Sequence, residues 1–166
     1  KNEVGVEHVH VLAHSMGNLL VLDALSNHSR TRNPVRLAEL IMAAPDVDED
    51  NYVSQVPEVQ KITESLTLYA SSADWPLAVA RKLSSARRAG DVSQDGPLLL
   101  PNVEAIDATA MGDELFGLNH NTFASNRSLI ADIRLLVDKR MRAGHRPQVR
   151  AVPEKSPTPK YWRFAP

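Results

Sequence analysis

Apolar runs rich in β-branched residues alternate along this chain with stretches whose apolar positions repeat at helical spacing, and each switch between the two periods predicts an element boundary. The first apolar run, Val6–Ala13, reads as a strand. Gly17–Ser26 follows as a helix in which Leu19, Leu20, Val21, Leu22 and Leu25 are apolar on most faces, the pattern of a buried helix. Polar residues and Pro34 break the chain from Asn27 onward, and Arg36–Ala44 is a second strand that closes at Pro45 and opens the acidic loop Asp46–Asp50. A short helix is expected at Glu58–Thr63, then a third strand at Ser65–Ala70 carrying the β-formers Thr67 and Tyr69. The loop Ser71–Trp75 leads into a helix, Pro76–Ala89, whose proline falls in the tolerant first turn. After a polar connection, Gly90–Pro101, the fourth strand is Val103–Asp107, followed by the loop Ala108–His120. The last helix, Thr122–Met141, is strongly amphipathic: Leu129, Ile130, Ile133, Leu136 and Val137 share one face, with Arg127, Asp132, Arg134, Asp138 and Arg140 away from it.

Strand and helix alternating in this way predict an α/β fold, a parallel sheet of about four strands flanked by helices. Residues 1–143 form that domain. Beyond Gly144 the chain is rich in proline and basic, with Arg146, Arg150, Lys155, Lys160 and Arg163 against the single acid Glu154, and 144–166 is expected to be a flexible tail. In parallel sheets of this class, ligands bind at the carboxyl ends of the strands. Ser15, the Asp46–Asp50 loop, Asp74 and His120 all follow predicted strands, so all are expected on one rim.

Composition narrows the chemistry. A chain of 166 residues, 43% hydrophobic and 23% charged, has the make-up of a soluble globular domain. Its net charge of -1 provides no field to recruit nucleic acid. The absence of cysteine removes disulfides, thiolate metal sites and a cysteine nucleophile, and leaves the compartment, cytoplasmic or exported, undecided. No apolar run approaches the roughly 20 residues that a membrane span requires.

Val9–Asn18 reads V-H-V-L-A-H-S-M-G-N, a strand running into a small-x-Ser-x-Gly turn that opens a helix. Such a turn pushes the serine hydroxyl out at the end of the sheet, which makes Ser15 a candidate nucleophile. Ala13 and Gly17 are expected to be small because a larger Cβ substituent at the bend would collide with neighbouring backbone, and His14 is built into the same elbow. A serine hydroxyl needs a base and a group that orients the base. His120 and Asp74 are the candidates, and the order Ser, Asp, His is that of α/β-hydrolases. Asp46 or Asp48, one strand earlier, is the alternative acid. Met16 would offer its backbone N–H to the oxyanion, and Trp75 is a candidate wall of the substrate pocket.

The elbow A-H-S-M-G resembles that of bacterial lipases and esterases. The wider pattern H-S-M-G-N-L-L-V-L-D-A-L, A-A-P-D-V-D, L-T-L-Y-A-S-S-A-D, I-D-A-T and G-L-N-H resembles an uncharacterised bacterial family of α/β-hydrolases, over about residues 4–142. The resemblance implies that this chain is the carboxyl-terminal half of an α/β-hydrolase fold, its strands being the fifth to eighth, with Ser15 as nucleophile, Asp74 as acid and His120 as base. The elements that would supply the second oxyanion donor are expected before Lys1.

Other features carry less. Asp46–Asn51 fails as a calcium loop, having Asn51 where glycine is needed and Pro57 where glutamate is needed. His8 and His10 share a strand face but lie toward the strand's start, and no metal site is expected. Asp107 is expected to be structural. The reading is a serine hydrolase of carboxylesterase or lipase type, acting on a small-molecule ester through an acyl-serine without metal or organic cofactor. A non-catalytic binding module and an acyltransferase or thioesterase using the same triad are the alternatives. Oligomeric state is not legible. The strand carrying Ser15 is expected to have an uncovered edge.

Overall fold

The computed structural model describes residues 5–72, 87–111 and 127–165. Strand β1 (His10–His14), helix α1 (Gly17–Ser29), β2 (Leu37–Ala43), α2 (Glu49–Gln60) and β3 (Thr63–Ala70) follow one another. The short strands β4 (Val92–Ser93) and β5 (Gly96–Pro97), then β6 (Val103–Asp107), α3 (Arg127–Lys139), a 3-10 turn at Ala143–His145, β7 (Val149–Val152) and β8 (Tyr161–Phe164) complete the described elements. The main sheet has six strands in the order β1-β2-β3-β6-β8-β7, and β4 pairs with β5 in a separate hairpin. Pairings β1–β2, β2–β3, β3–β6 and β6–β8 are parallel; β7–β8 is antiparallel.

Both faces of the sheet are covered, which is why every residue of β2 is buried. On one face Leu22 of α1 and Tyr52, Val56 and Val59 of α2 pack on Leu40, Met42, Leu66 and Leu68. On the other, Leu129 and Leu136 of α3 pack on Ile41, Tyr69, Ile106 and Phe164. Strand β1 lies at the sheet's edge. Nearby apolar residues Val6, Leu12, Leu19 and Leu20 are exposed. Helix α1 is therefore not the buried helix expected: only Asn18, Leu22 and Ser26 are buried along it.

The largest correction concerns 144–166. The expected flexible tail supplies β7 and β8, which raise the sheet from about four strands to six. Composition misleads there because the basic residues are paired or outward, while Val149, Tyr161 and Phe164 are buried. Arg146 is sequestered completely by ion pairs to Asp132 and Glu104.

A second correction concerns the acidic run. Asp48 caps α2 by accepting from the Asp50 and Asn51 N–H groups at 3.1 and 3.3 Å, and Glu49 and Asp50 occupy the first turn. Acids at a helix start complement its dipole, so what reads as a solvated loop is a helix N-terminus. The helix expected at Glu58–Thr63 instead spans Glu49–Gln60, with Pro57 inside it. That proline denies a donor to the carbonyl of Val53, on the exposed side where water can serve it. Of the helix expected at 76–89, residues 76–86 lie outside the described residues, and 87–89 are not helical: Arg88 forms a β-bridge with Asp48.

Candidate active site

The four adjacent parallel strands end level with one another. His14 of β1 is opposite Ala43 of β2, Ala43 is opposite Tyr69 of β3, and Ala70 is opposite Asp107 of β6. Ser15, the Ala44–Asp46 turn, Ser71–Ser72 and Ala108–Thr109 thus share one rim, which holds the elbow and the alternative acids. Asp74, Trp75 and His120 lie outside the described residues.

Ser15 joins β1 to α1 with a φ of +52°, left-handed backbone that a side chain makes costly. A dense set of hydrogen bonds holds it there. The Ser15 N–H donates to the Ala43 carbonyl at 3.0 Å. The Ser15 carbonyl accepts from the Asn18 N–H at 3.1 Å, the Asp46 N–H at 3.2 Å and the Asn18 side-chain Nδ2 at 3.0 Å. Asn18 Nδ2 also donates to the Ala43 carbonyl at 3.2 Å. Met16, 70% exposed, is the N-cap residue of α1. Among the described residues no backbone carbonyl accepts its N–H. A helix start leaves its first N–H groups available to an anion, which is what a tetrahedral oxyanion needs.

Ala13 is buried in the sheet, as a small residue before the elbow should be. The expectation for Gly17 is not met. A Cβ built there meets no described atom within 4 Å, and its φ is not left-handed because it already belongs to the first turn of α1. At this rim the glycine demanded by close approach of backbone is Gly90. A Cβ on it would come within 2.8 Å of the Ala44 carbonyl carbon and the Pro45 nitrogen. Gly90 N–H donates to the Pro45 carbonyl at 3.0 Å and its own carbonyl accepts from Ser71 N–H at 2.9 Å, so residues 87–91 stitch the ends of β2 and β3 together.

Both alternative acids have other partners. Asp48 is the α2 cap, and the Asp46 carboxylate pairs with the Arg88 guanidinium at 3.4 Å. Asp107 accepts from the Thr109 N–H at 3.0 Å and from Arg163 Nε at 3.2 Å, which fixes the turn after β6. Ser72 N–H donates to Thr109 Oγ1 at 2.9 Å and links the turns after β3 and β6.

Several titratable groups with displaced pKa values, Glu39, Tyr69 and Asp132 among them, lie on the α3 face of the sheet. Asp132, placed by helical periodicity on the polar face, is fully buried; it accepts from Tyr69 Oη and Arg146 Nη1, each at 2.6 Å. Burial pushes its carboxyl above the usual range, against the pull of Arg146. Glu104 accepts from Arg142 and Arg146, and Glu39 accepts from Thr67 at 2.7 Å and Arg142 at 2.7 Å. Burial raises the Glu39 pKa as well, opposed by Arg142 and Thr67. At the amino end of β1, His10 has its pKa lowered, first by burial and then by His8 and Arg140. No three His, Asp or Glu side chains among the described residues cluster to hold a metal, and no described helix is long and apolar enough to cross a membrane.

Sequence reasoning pointed to the bend at Ser15 but passed over Asn18 and Gly90, which hold that bend and the neighbouring turn in place. The signal for Asn18 was a lone amide at the head of an apolar helix; for Gly90 there was none, because its contact is with a distant turn.

No curated protein and no solved structure matches the chain. Residues 1–140 match the model of a family described as alpha/beta hydrolase of unknown function (DUF900). With that match over most of its length, a mainly parallel sheet covered on both faces and a serine at the bend between β1 and α1, the chain belongs to this family of α/β-hydrolases.

Proposed function

We propose that the protein is a serine hydrolase that cleaves ester bonds, of carboxylesterase or lipase type. The observation that carries this reading is the left-handed Ser15 at the bend between a parallel strand and a helix start, a strained conformation held by hydrogen bonds from both sides. Ser15 Oγ attacks the acyl carbon as His120 takes its proton, and the oxyanion that forms is received by the Met16 N–H. His120 returns the proton to the departing alkoxide, leaving an acyl-serine and free alcohol. Water, deprotonated by the same imidazole, then releases the acid and restores Ser15. Asp74 orients His120. The commitments of Asp48 to the α2 cap and of Asp46 to Arg88 favour Asp74 over either alternative.

Hydrolysis of p-nitrophenyl acetate by the full chain tests the assignment. Ser15→Ala and His120→Ala are each expected to lower kcat by about 10⁶-fold, and Asp74→Asn by about 10⁴-fold. Equal turnover by wild type and a folded Ser15→Ala would overturn the reading.

A further inference from the structure

The buried amide of Asn18 has a place in this chemistry, on the reading of Ser15 as nucleophile. Asn18 is 0% exposed, and its Nδ2 bridges two carbonyls, that of Ser15 at 3.0 Å and that of Ala43 at 3.2 Å. Its Oδ1 is buried without a hydrogen-bond partner among the described residues. Such an orphan acceptor is costly, and native interiors rarely keep one. The amide cannot be turned over to relieve it, because Oδ1 would then face two carbonyl oxygens. What the residue contributes is therefore the donor pair.

The consequence reaches Met16 through a single rigid unit. The Ser15–Met16 peptide is trans and planar, so the Ser15 carbonyl and the Met16 N–H point in opposite directions. Three donors, from Asn18 N, Asn18 Nδ2 and Asp46 N, hold that carbonyl toward the interior. The same bonds must aim the Met16 N–H outward, and they polarise the peptide so that its N–H becomes a stronger donor. We propose that Asn18 is the positioning residue of the oxyanion site: its Nδ2, by fastening the Ser15 carbonyl to the end of β2, fixes the Met16 N–H where the tetrahedral intermediate develops charge. An anchor of this kind acts on the transition state and leaves ground-state binding of the ester almost untouched.

The test uses Asn18→Leu, similar in shape and without donors, and Asn18→Asp, which donates only when protonated. In folded Asn18→Leu, kcat for p-nitrophenyl acetate should fall roughly tenfold to a hundredfold, less than or comparable to outright loss of an oxyanion donor. KM should be unchanged, and inhibition by a phenylboronic acid, which forms a tetrahedral adduct on serine, should weaken in parallel. The ratio of Asn18→Asp to wild-type kcat should rise as pH is lowered and the carboxyl regains its proton. Unchanged kcat and boronate affinity in a folded Asn18→Leu overturn the proposal, as does a rise in KM alone. Should Asn18→Leu fail to fold, a pH-independent ratio for Asn18→Asp overturns it. A wild type that turns over no ester defeats the hydrolase reading instead. The positioning role is then decided by a crystal structure of either variant: a turned 15–16 peptide supports it, and an unmoved one overturns it.

Discussion

The Ser15 N–H and the Ala43 carbonyl meet at 3.0 Å where β1 and β2 end, which pins a left-handed serine to the strand beside it. Left-handed backbone costs a residue with a Cβ roughly 1–2 kcal/mol, part of which glycine gives back through the entropy of its unfolded chain. Ser15→Gly should therefore be more stable than Ser15→Ala by about 1 kcal/mol, although both lose the hydroxyl. Urea unfolding of the two variants measures this; equal midpoints would mean that the elbow stores no strain.

Gly90 controls the same region from the far side. Alanine there would drive a methyl into the backbone of Ala44 and Pro45 at 2.8 Å, and these residues lead to the Asp46 N–H that holds the Ser15 carbonyl. Gly90→Ala should lose about 1–3 kcal/mol of stability, as overpacked sites do, and ester turnover should fall with it. Thermal unfolding and a p-nitrophenyl ester assay on the same preparation check both halves.

The Asp132–Arg146 pair ties α3 to the segment that leads into β7. Both side chains are completely buried, so Asp132→Ala takes from the guanidinium its fully buried counter-charge and leaves it Glu104 alone. A loss of about 3–5 kcal/mol is expected, while Asp132→Leu combined with Arg146→Met should recover much of it. Denaturant unfolding of the single and double variants decides whether the pair acts as a unit.

Glu39 links stability to pH. Burial raises its folded pKa above the unfolded value, so the folded chain binds the proton more tightly. Its contribution is fully present below the unfolded pKa and is lost as pH rises through the folded one. Asp132 has the same sign. Glu39→Gln, which cannot ionise, should gain stability relative to wild type as pH is raised from the ordinary carboxylate range toward neutrality. A difference between the two unfolding curves that stays constant with pH would contradict this.

Period and punctuation made most of the fold legible. β6 falls at its expected residues, Val103–Asp107, because apolar alternation and flanking turns agree there. The bend at Ser15 was legible because strand, small residue and helix are contiguous. Most of what escaped depends on partners far apart in sequence, and the cap at Asp48 on local backbone geometry. Asp132 looks solvent-facing until Tyr69 and Arg146 arrive to bury it. Residues 149–164 look like a tail because their inward alternation is short and set among prolines and arginines; only the open edge of β6 makes a strand of Tyr161–Phe164. Asp48 reads as one of a run of acids, and its capping role depends on the backbone N–H groups two and three residues ahead.

The central claim is that Ser15 is a nucleophile, and covalent trapping tests it most directly. The full chain is treated with a fluorophosphonate and the adduct located by peptide mass mapping. A single phosphonyl group on Ser15, absent from Ser15→Ala, is the predicted result. A folded protein that takes no label, or takes it on another residue, would contradict the account.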